Sequence, residues 1–392
     1  MKVAIITERA NISLGGAERS IFELAASLAM NGTDVKILAA TGTAHSRRVQ
    51  VLFPESEKRI SFDVFRDALV EHFKANKYDI IHSTLPLDFA DIYQPRGGSY
   101  AEAAIRNAAS YKGNAVRIFK MLTSFANFKR TKLVRAERKL CEKENGPIIA
   151  ALSEYVKKQF QKHYSLPDSR IRIIPNGVKL FRNIDKSRID RIRALILSRF
   201  NIKEADNPVF FLFAANNFRL KGLLSLIDAM AIVKERTARR PAYLIVAGRG
   251  QIEKYKSIAA KVGVKDKIIY MGQTGNIQNL VMMSDVAVLP TYYDPASRFI
   301  LEALGAGKPV ITTKFNGAAD LFAADRHGKV FDSPDNIGAL AEAIKYYCIT
   351  ENIAAAKKAI EEDNIKSKVS IKAHCAKLLK LYEEIIRNRT AK

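Results

Sequence analysis

Two carboxylates, Asp294 and Glu302, lie eight residues apart in the second half of the chain and have residue types that bind hydroxyl groups. Asp294 follows an apolar segment typical of a strand. Glu302 lies within the otherwise apolar stretch 299–304, where an unpaired charge would be costly. A carboxylate held there can accept two hydrogen bonds from a ribose diol. The alternative is a partly exposed helix glutamate without a ligand.

Two cations, Arg219 and Lys221, directly follow the first apolar strand pattern of the second half. Cations at the carboxyl end of a strand, where a helix begins, suit a diphosphate whose negative charge grows as it leaves. In a chain with 64 Lys and Arg residues, a solvated basic turn is the favoured alternative until a second observation supports the position.

Two glycines, Gly15 and Gly16, stand between a strand pattern and a helix pattern. Glycine lets the backbone approach a ligand closely, and the helix N-terminus offers N–H groups and a positive dipole to a phosphate. The alternative is a loop that needs glycine only for its backbone shape. Gly248 also follows a strand pattern, but without a third glycine it indicates a sharp strand-to-helix turn rather than a dinucleotide fingerprint.

Apolar strand patterns alternate with helical patterns along most of the chain, and this rhythm predicts parallel sheets covered by helices. The predicted strands are 3–6, 35–38, 79–82, 148–152, 171–174, 209–213, 243–247, 268–270, 286–289 and 309–312. The simplest architecture is α/β, with two Rossmann-like doubly wound domains facing a central cleft. Ligands of such sheets bind outside the carboxyl ends of the strands.

The expected domains are an N-terminal domain, residues 1–178, and a C-terminal domain, residues 179–368, with the change near the polar stretch that ends at about Arg199. A basic helical insertion at 103–145 interrupts the first domain, and a C-terminal helix at 369–392 is expected to pack back on it.

The chain of 392 residues has a net charge of +24, which favours polyanionic partners: nucleic acid, phosphorylated substrates or an anionic membrane surface. No apolar run approaches the roughly 18 residues of a membrane span. Three scattered cysteines without a CxxC pair suggest neither disulfides nor a zinc site. We therefore expect a cytoplasmic protein.

Residues 106–143 contain eleven Lys or Arg and two Glu, a local net charge of +9, interleaved with apolar side chains such as Phe119, Phe125 and Phe128. Cations mixed with aromatic residues suit a segment that lies in an anionic bilayer interface. The alternative is a packed helix with a solvated basic face. The expected membrane-binding cations are Lys120, Lys129, Arg130, Lys132 and Arg135.

The segment 294–310 resembles the E-x7-E signature of retaining family 4 glycosyltransferases of the GT-B fold. Residues 15–16, 152–154, 174–178, 221–222 and 307–310 also fall in the order of that family. The resemblance covers essentially the whole chain, and the ordered set is more specific than any member. It is greatest to the lipopolysaccharide core glucosyltransferases, through residues 99–102, 160–164 and the basic insertion.

The resemblance implies a nucleotide-sugar donor on the second half and an acceptor on the first. It makes Glu302 the ribose ligand, Asp294 a contact to the donor sugar, and Arg219 and Lys221 the cations of the diphosphate. It further implies that the sugar is transferred with retention of configuration and without a metal or cofactor. A phosphate oxygen of the donor would take the proton of the acceptor hydroxyl. Other donor-binding residues expected on this basis are Gly15, Gly16, Gly248, Gln273, Ala296, Ser297 and Arg298, the last three through their backbone N–H groups.

Three positions depart from the family pattern. Asp294 replaces a glutamate, which shortens the contact to the sugar by one methylene. Asn216 stands where many members have an arginine that Arg219 can replace. Arg96 lies where relatives often carry a histidine or aspartate near the reacting carbon, and it is therefore a candidate catalytic residue. His82, at a strand end, is an alternative, although a structural histidine fits that position better.

The resulting prediction is a peripheral-membrane enzyme at the inner face of the cell membrane that moves a hexose to a lipid-linked or lipopolysaccharide-core acceptor. UDP-glucose is the leading donor by resemblance, with GDP-mannose and UDP-N-acetylglucosamine as alternatives, and a soluble or capsular glycan is the alternative acceptor. A basic nucleic-acid-binding protein is the alternative from another class. No nucleic-acid partner is expected, because no recognition helix, zinc spacing or RRM-like motif supports one.

Overall fold

The computed structural model describes residues 1–11, 15–44, 46–56, 59–123, 127–181, 184–235 and 240–390. Contacts divide the chain into two compact units. The first comprises Met1–Ala108, Asn114–Gly177 and Ile371–Lys392, and the second comprises Ala109–Gly113 and Val178–Ser370. The short segment Ala109–Gly113, which we expected in the insertion of the first domain, thus groups with the second unit.

The first unit is built on a parallel seven-stranded sheet of order β3-β2-β1-β4-β5-β6-β7. The strands are β1 (Lys2–Ala10), β2 (Asp34–Gly42), β3 (Val49–Val51), β4 (Ile80–Ser83), β5 (Ile92–Tyr93), β6 (Ile148–Ala151) and β7 (Ile171–Ile173). Five of these coincide with predicted strands. β3 and β5 were not predicted, because two or three residues are too few to show a strand pattern.

The helices of the first unit include the expected basic stretch and the chain's C-terminal helix. They are α1 (Gly16–Met30), α2 (Phe62–Ala75), α3 (Tyr100–Ala109), α4 (Asn114–Thr123), α5 (Phe128–Glu142), α6 (Glu154–Tyr164) and α15 (Ile371–Thr390). α15 packs against α1, and its Leu378, Leu381 and Tyr382 lie in the same buried cluster as Val3 and Ile5 of β1. The first unit therefore draws part of its core from the end of the chain.

The second unit is built on a parallel six-stranded sheet of order β10-β9-β8-β11-β12-β13. The strands are β8 (Val209–Ala214), β9 (Ala242–Ala247), β10 (Ile268–Gly272), β11 (Val286–Leu289), β12 (Val310–Thr313) and β13 (Gly328–Phe331). Every residue from Val209 to Phe213 is buried, as expected for a central strand covered on both faces. β13 is the one strand of this sheet, within the described residues, that was not predicted, and it lies at an edge opposite β10.

Eight helices, within the described residues, belong to the second unit. They are α7 (Lys186–Arg199), α8 (Leu223–Glu235), α9 (Ile252–Lys261), α10 (Ile277–Met283), α11 (Arg298–Gly305), α12 (Ile337–Tyr347), α13 (Thr350–Glu362) and α14 (Ile365–Lys368). In both units the strand order reverses beside the first strand, which is the doubly wound arrangement predicted from the sequence. The reversal fixes where the loops with polar residues come together.

Candidate functional site

The strand order of the second sheet reverses between β8 and β11, which are neighbours in the sheet. Loops at the carboxyl ends of two such strands form the usual ligand site of a doubly wound sheet. The loop after β8 carries Arg219 and Lys221, and the loop after β11 carries Asp294. Sheet topology therefore brings together charged residues that the sequence separates.

The close approach of these two loops requires glycine at position 222. Gly222 has φ +79°, and a Cβ atom there would lie 1.9 Å from the carbonyl oxygen of Pro290. The Thr291 hydroxyl and the Tyr292 N–H both donate to the carbonyl of Leu220, at 3.2 and 2.9 Å. Backbone contacts thus hold the two loops together independently of their charged side chains.

Lys221 and Asp294 form an ion pair at this junction. The Lys221 ammonium lies 2.6 Å from Asp294 Oδ2 and 2.8 Å from the carbonyl oxygen of Tyr293. The two side chains are only 20% and 15% exposed, so water screens the pair less than it screens a surface pair. An ammonium has three donors, and these contacts use two. The third can be directed to an anion at the strand ends.

The backbone of the loop after β11 is bonded within the protein. The Ala296 N–H donates to Asp294 Oδ1 at 3.2 Å, and the Ser297 N–H donates to the Asn316 side-chain oxygen at 3.1 Å. The Ser297 hydroxyl caps α11 by accepting from the Ile300 N–H. The N–H groups of Ala296 and Ser297, which we expected to line a sugar and a phosphate, therefore have acceptors in this structure.

Glu302 lies on α11, whose other faces bury Phe299, Ile300, Leu301, Ala303 and Leu304. The expected carboxylate in an apolar helix is present, and it has a partner. Arg298, one turn earlier, donates to Glu302 Oε1 at 3.1 Å, and both side chains are about nine-tenths buried. A carboxylate has about four acceptor positions, so Glu302 can bind a diol while it stays paired with Arg298.

Arg219 contacts the segment Ala109–Gly113, which belongs to the same unit. Its guanidinium lies 3.8 Å from the centre of the Tyr111 ring and donates to the Ser110 hydroxyl. Stacking on an aromatic face holds the guanidinium plane without neutralising its charge. The guanidinium of Arg219 is thus held in the same loop as Lys221.

The loops after β9 and β10 carry two further expected donor residues. Gly248 has φ +123°, and a Cβ atom would lie 1.8 Å from the carbonyl oxygen of Ala215. Gln273 accepts a hydrogen bond of 2.7 Å from the Arg249 side chain, and the Arg249 N–H donates to Asn216. Gly248 and Gln273 therefore lie at the carboxyl edge of the second sheet, and Asn216 supports that edge.

Arg96, the candidate catalytic residue of the first unit, has polar neighbours from two segments of the chain. Its guanidinium donates to the Ser20 hydroxyl of α1 and to the Asn176 side-chain oxygen, each at 3.1 Å. Ser20 lies in the helix that follows Gly15 and Gly16. Gly15 has an extended backbone, and no side chain caps α1. The structure therefore places Arg96 close to the helix that the glycine pair begins.

His82 is fully buried beside Tyr382, whose hydroxyl lies 2.6 Å from His82 Nδ1. Burial, together with the nearby Arg96 and His374, lowers the pKa of His82 to about 3. His374, also buried, bonds the carbonyl of Pro175 through Nδ1, and burial lowers its pKa to about 3 as well. Both imidazoles are neutral, which is the structural interpretation of His82 given above.

The basic segment contains one anchored helix and one exposed helix. α5 buries Leu133, Glu137, Leu140 and Cys141, whereas no residue of α4 is buried. Among the expected membrane-binding cations, Lys129 bonds Glu8 at 2.9 Å and Lys132 pairs with Asp63. Phe125 lies outside the described residues. The charges on α5 are therefore partly neutralised within the first unit.

The apolar residues of α4 are mostly exposed to solvent. They are Val116 (43%), Ile118 (55%), Phe119 (59%), Met121 (45%) and Leu122 (64%), and Phe128 at the start of α5 is 77% exposed. A helix with large apolar side chains on the surface and cations between them has the composition of an interfacial helix.

Sequence reasoning missed two buried polar residues of the candidate site, Asn316 and Thr312. Asn316 accepts from the Ser297 N–H and donates to the Thr312 hydroxyl. The sequence feature that could have identified Asn316 is an Asn-Gly pair shortly after a strand, at the carboxyl edge of the sheet.

The described residues contain neither a metal-binding cluster nor a membrane-spanning helix. No group of three or more His, Cys, Asp and Glu side chains in that part of the chain could hold a metal ion. No helix there has both the length and the apolar character to cross a membrane.

Two family models match the chain, and each matches one of the halves. Residues 14–182 match "Glycosyltransferase Family 4", and residues 197–363 match "Glycosyl transferases group 1". Among curated proteins, the lipopolysaccharide glucosyltransferase WaaG of Escherichia coli is 24% identical over 335 residues, which are 84% of this chain and 85% of that protein.

Solved structures share the fold. The crystal structure of WaaG, described as a glycosyltransferase involved in lipopolysaccharide biosynthesis, has a TM-score of 0.73 and 22% identity over 97% of this chain and 99% of that one. Anabaena Alr3699/HepE in complex with UDP and glucose has a TM-score of 0.69 and 17% identity over 98% and 100% of the two chains. The fold predicted from the sequence, two Rossmann-like domains of the GT-B type, is confirmed.

The neutral state of His82 gives a pH prediction. Its pKa in the folded protein lies below its ordinary value of 6.5, so the unfolded chain takes up the proton first as the pH falls. We expect the stability contributed by His82 to be complete above pH 6.5 and to be lost as the pH falls below that value. NMR titration, with His82→Gln to assign the ring proton, should show no inflection between about pH 5 and 8. A titration centred near 6.5 would contradict the buried neutral state.

Proposed function

We propose that this chain, a glycosyltransferase with a Family 4 domain and a group 1 domain in the GT-B fold, transfers a hexose from a nucleotide diphosphate sugar with retention of configuration. The Lys221–Asp294 pair at the reversal of the second sheet carries this proposal. Lys221 has a donor for a diphosphate oxygen, and Asp294 has lone pairs for a sugar hydroxyl. A cation for the diphosphate and a carboxylate for the sugar therefore lie next to each other, as the donor requires.

In the proposed reaction, the bond between the sugar C1 and the diphosphate oxygen breaks, and the acceptor oxygen bonds C1 on the same face. The acceptor proton passes to a phosphate oxygen of the departing nucleoside diphosphate. Lys221 and Arg219 stabilise the charge that develops on this leaving group. Arg96 of the first unit is a further candidate catalytic cation. Because cations of the chain supply this charge, we propose a reaction without a metal or other cofactor.

The nucleotide is proposed to bind beside this pair on the second unit. Glu302 of α11 accepts the ribose diol, and Gln273 and Gly248 lie where the loops after β9 and β10 can meet the nucleotide. Arg298 orients the Glu302 carboxylate through their ion pair. Ribose binding then uses a side chain that the fold already holds in place.

UDP-glucose is the proposed donor and a lipopolysaccharide core or another lipid-linked glycan the proposed acceptor. The name of WaaG, a lipopolysaccharide glucosyltransferase, and the complexes of HepE with UDP and UDP-glucose support these assignments. GDP-mannose and UDP-N-acetylglucosamine are the donors to compare in the same binding assay. A soluble or capsular acceptor would make the membrane surface unnecessary.

The exposed helix α4 supports peripheral attachment to the anionic inner face of the cell membrane. Its apolar side chains have no core to pack in, since none of its residues is buried. Insertion into a bilayer interface removes such side chains from water, and anionic lipid attracts the neighbouring cations. Attachment would bring the enzyme to a lipid-linked acceptor.

The ribose assignment predicts that Glu302→Gln weakens binding of both UDP and UDP-glucose. A hydrogen bond to a charged group contributes about 1.5–3 kcal/mol, so we expect affinity to fall by about tenfold or more. Isothermal calorimetry measures this, with Glu253→Gln, an 83% exposed glutamate of α9, as the matched control. Unchanged affinities for both ligands would remove Glu302 from the site. Wild-type protein that binds neither ligand would overturn the proposed donor.

The cation assignment predicts that glycosyl transfer survives EDTA. Arg219 and Lys221 carry the positive charge that a divalent ion supplies in other phosphate sites. Turnover of the wild-type enzyme should be the same before and after chelation, within about a factor of two. Loss of turnover in EDTA that manganese or magnesium restores would show that the leaving group needs a metal.

The membrane assignment predicts that two variants release the protein from anionic vesicles. One variant changes Ile118, Phe119 and Leu122 to Ser, and the other changes Lys120, Arg130 and Arg135 to Ser. Lys129 and Lys132 stay in place because they pair with carboxylates of the first unit. Each well-placed cation contributes about 1 kcal/mol of attraction, so the charge variant should lose about tenfold or more in vesicle affinity.

Vesicle co-sedimentation at increasing salt is the measurement for both variants. The control changes three exposed lysines of the second unit, Lys254, Lys261 and Lys265, to Ser and removes the same charge. Donor binding should be intact in all three proteins. Equal loss in the control, or equal binding of the wild type to neutral and anionic vesicles, would show that α4 is not the membrane-binding element.

A further inference from the structure

We propose that Asn316 is a positioning residue that fixes the loop carrying Asp294 at the donor site; this inference rests on the proposed function. Asn316 lies shortly after β12, and its side chain is buried, with 1% exposure. Its neighbours are the buried backbone of the Asp294 loop and the buried end of β12. A polar amide in such a place must have partners, and here each atom of the amide has one.

The Asn316 amide links the loop to the centre of the sheet. Its oxygen accepts from the N–H groups of Ser297 and Ala318, both at 3.1 Å, and its nitrogen donates to the Thr312 hydroxyl at 2.9 Å. Thr312 in turn donates to the carbonyl of Leu289 in β11 at 2.8 Å. This chain of hydrogen bonds runs from two central strands to the Ser297 backbone, with no exposed member.

The main chain beside Asn316 also holds Asp294 directly. The Asp294 N–H donates to the carbonyl of Phe315, and the Gly317 N–H donates to the carbonyl of Asp294, both at 2.9 Å. The backbone of Asp294 is therefore bonded to the two chain neighbours of Asn316. The Asn316 side chain itself bonds the same loop at Ser297. An aspartate carboxylate is only one methylene from its backbone, so its oxygens move with that backbone. The position of Asp294 relative to a bound sugar thus depends on Asn316.

The two functions of the amide can be separated by substitution. Asn316→Ala leaves the buried N–H groups of Ser297 and Ala318 without their acceptor, and the loop is expected to loosen. Asn316→Asp keeps acceptor oxygens for both N–H groups, replaces the donor to Thr312 by a second oxygen and adds a buried negative charge. The alanine variant should therefore lose the loop geometry, and the aspartate variant should largely keep it.

Calorimetry of the full chain with UDP and with UDP-glucose tests the role of Asn316. In Asn316→Ala we expect affinity for UDP-glucose to fall by about tenfold and affinity for UDP to stay within about twofold, because the loop meets the sugar while Glu302 meets the ribose. Asn316→Asp should stay within about threefold of the wild type for both ligands. Asn127→Ala, which removes an acceptor of a helix N-terminal N–H in the first unit, is the matched control.

Hydrogen–deuterium exchange of the ligand-free protein gives a second measurement that needs no donor. Peptides that cover residues 294–298 should exchange about tenfold faster in Asn316→Ala and unchanged in Asn127→Ala. If Asn316→Ala fails to fold, Thr312→Val, which removes the acceptor of the Asn316 amide nitrogen, should show the same changes to a smaller extent. Wild-type protein that binds neither ligand would refute the proposed donor, and the exchange rates would still decide the role of Asn316.

Three results would overturn the inference. Exchange at 294–298 could be unchanged in a folded alanine variant. Affinities for UDP and UDP-glucose could fall equally, which a general loss of stability would produce. The aspartate variant could bind UDP-glucose as weakly as the alanine variant, which would mean that the acceptor oxygen of Asn316 does not position the Asp294 loop.

Discussion

The contact between the loop after β8 and the loop after β11 is the constraint on which the rest of the candidate donor site depends. It requires a residue without a side chain at position 222, because a Cβ atom there would collide with the Pro290 carbonyl. Once the loops touch, Lys221 reaches Asp294 and the Tyr293 carbonyl. The Asp294 loop is then held from the other side by the segment around Asn316. A cation and a carboxylate consequently share one small region that the sheet itself defines.

The first unit uses buried polar groups in a different way. His82 and His374 are held neutral by burial near the Arg96 cation. Glu137 of α5 accepts from the hydroxyl groups of Tyr93 and Tyr164 and from the Tyr100 N–H, at 2.6–2.8 Å. Burial raises the pKa of Glu137 to about 7, against the hydrogen bonds that lower it. These groups anchor α5 and α15 to the first sheet, since a buried polar atom is stable only where its partners are fixed.

The anchoring of α5 changes how the basic segment is interpreted. Its net charge of +9 suggested a membrane surface, yet Lys129 and Lys132 meet carboxylates of the first unit. The neighbouring helix α4 has large apolar side chains in water and no buried residue. Exposed apolar surface is thus a stronger argument for an interface than total charge. It also restricts the proposed membrane-binding element to α4 and the start of α5.

The sequence by itself determined ten of the thirteen strands in the described residues, the parallel doubly wound units and the choice of Lys221, Asp294 and Glu302 as candidate ligands. Apolar runs between helical patterns allow few other folds, and the motif order was specific. The tertiary structure alone decided which charges meet. Lys221 pairs with Asp294 across 73 residues of the chain, and Lys129 pairs with Glu8 across 121. The contact between Asn316 and the Asp294 loop is likewise visible only in the tertiary structure. Such pairings depend on backbone positions that sheet register and loop contacts set, and neither is encoded in local patterns of residue type.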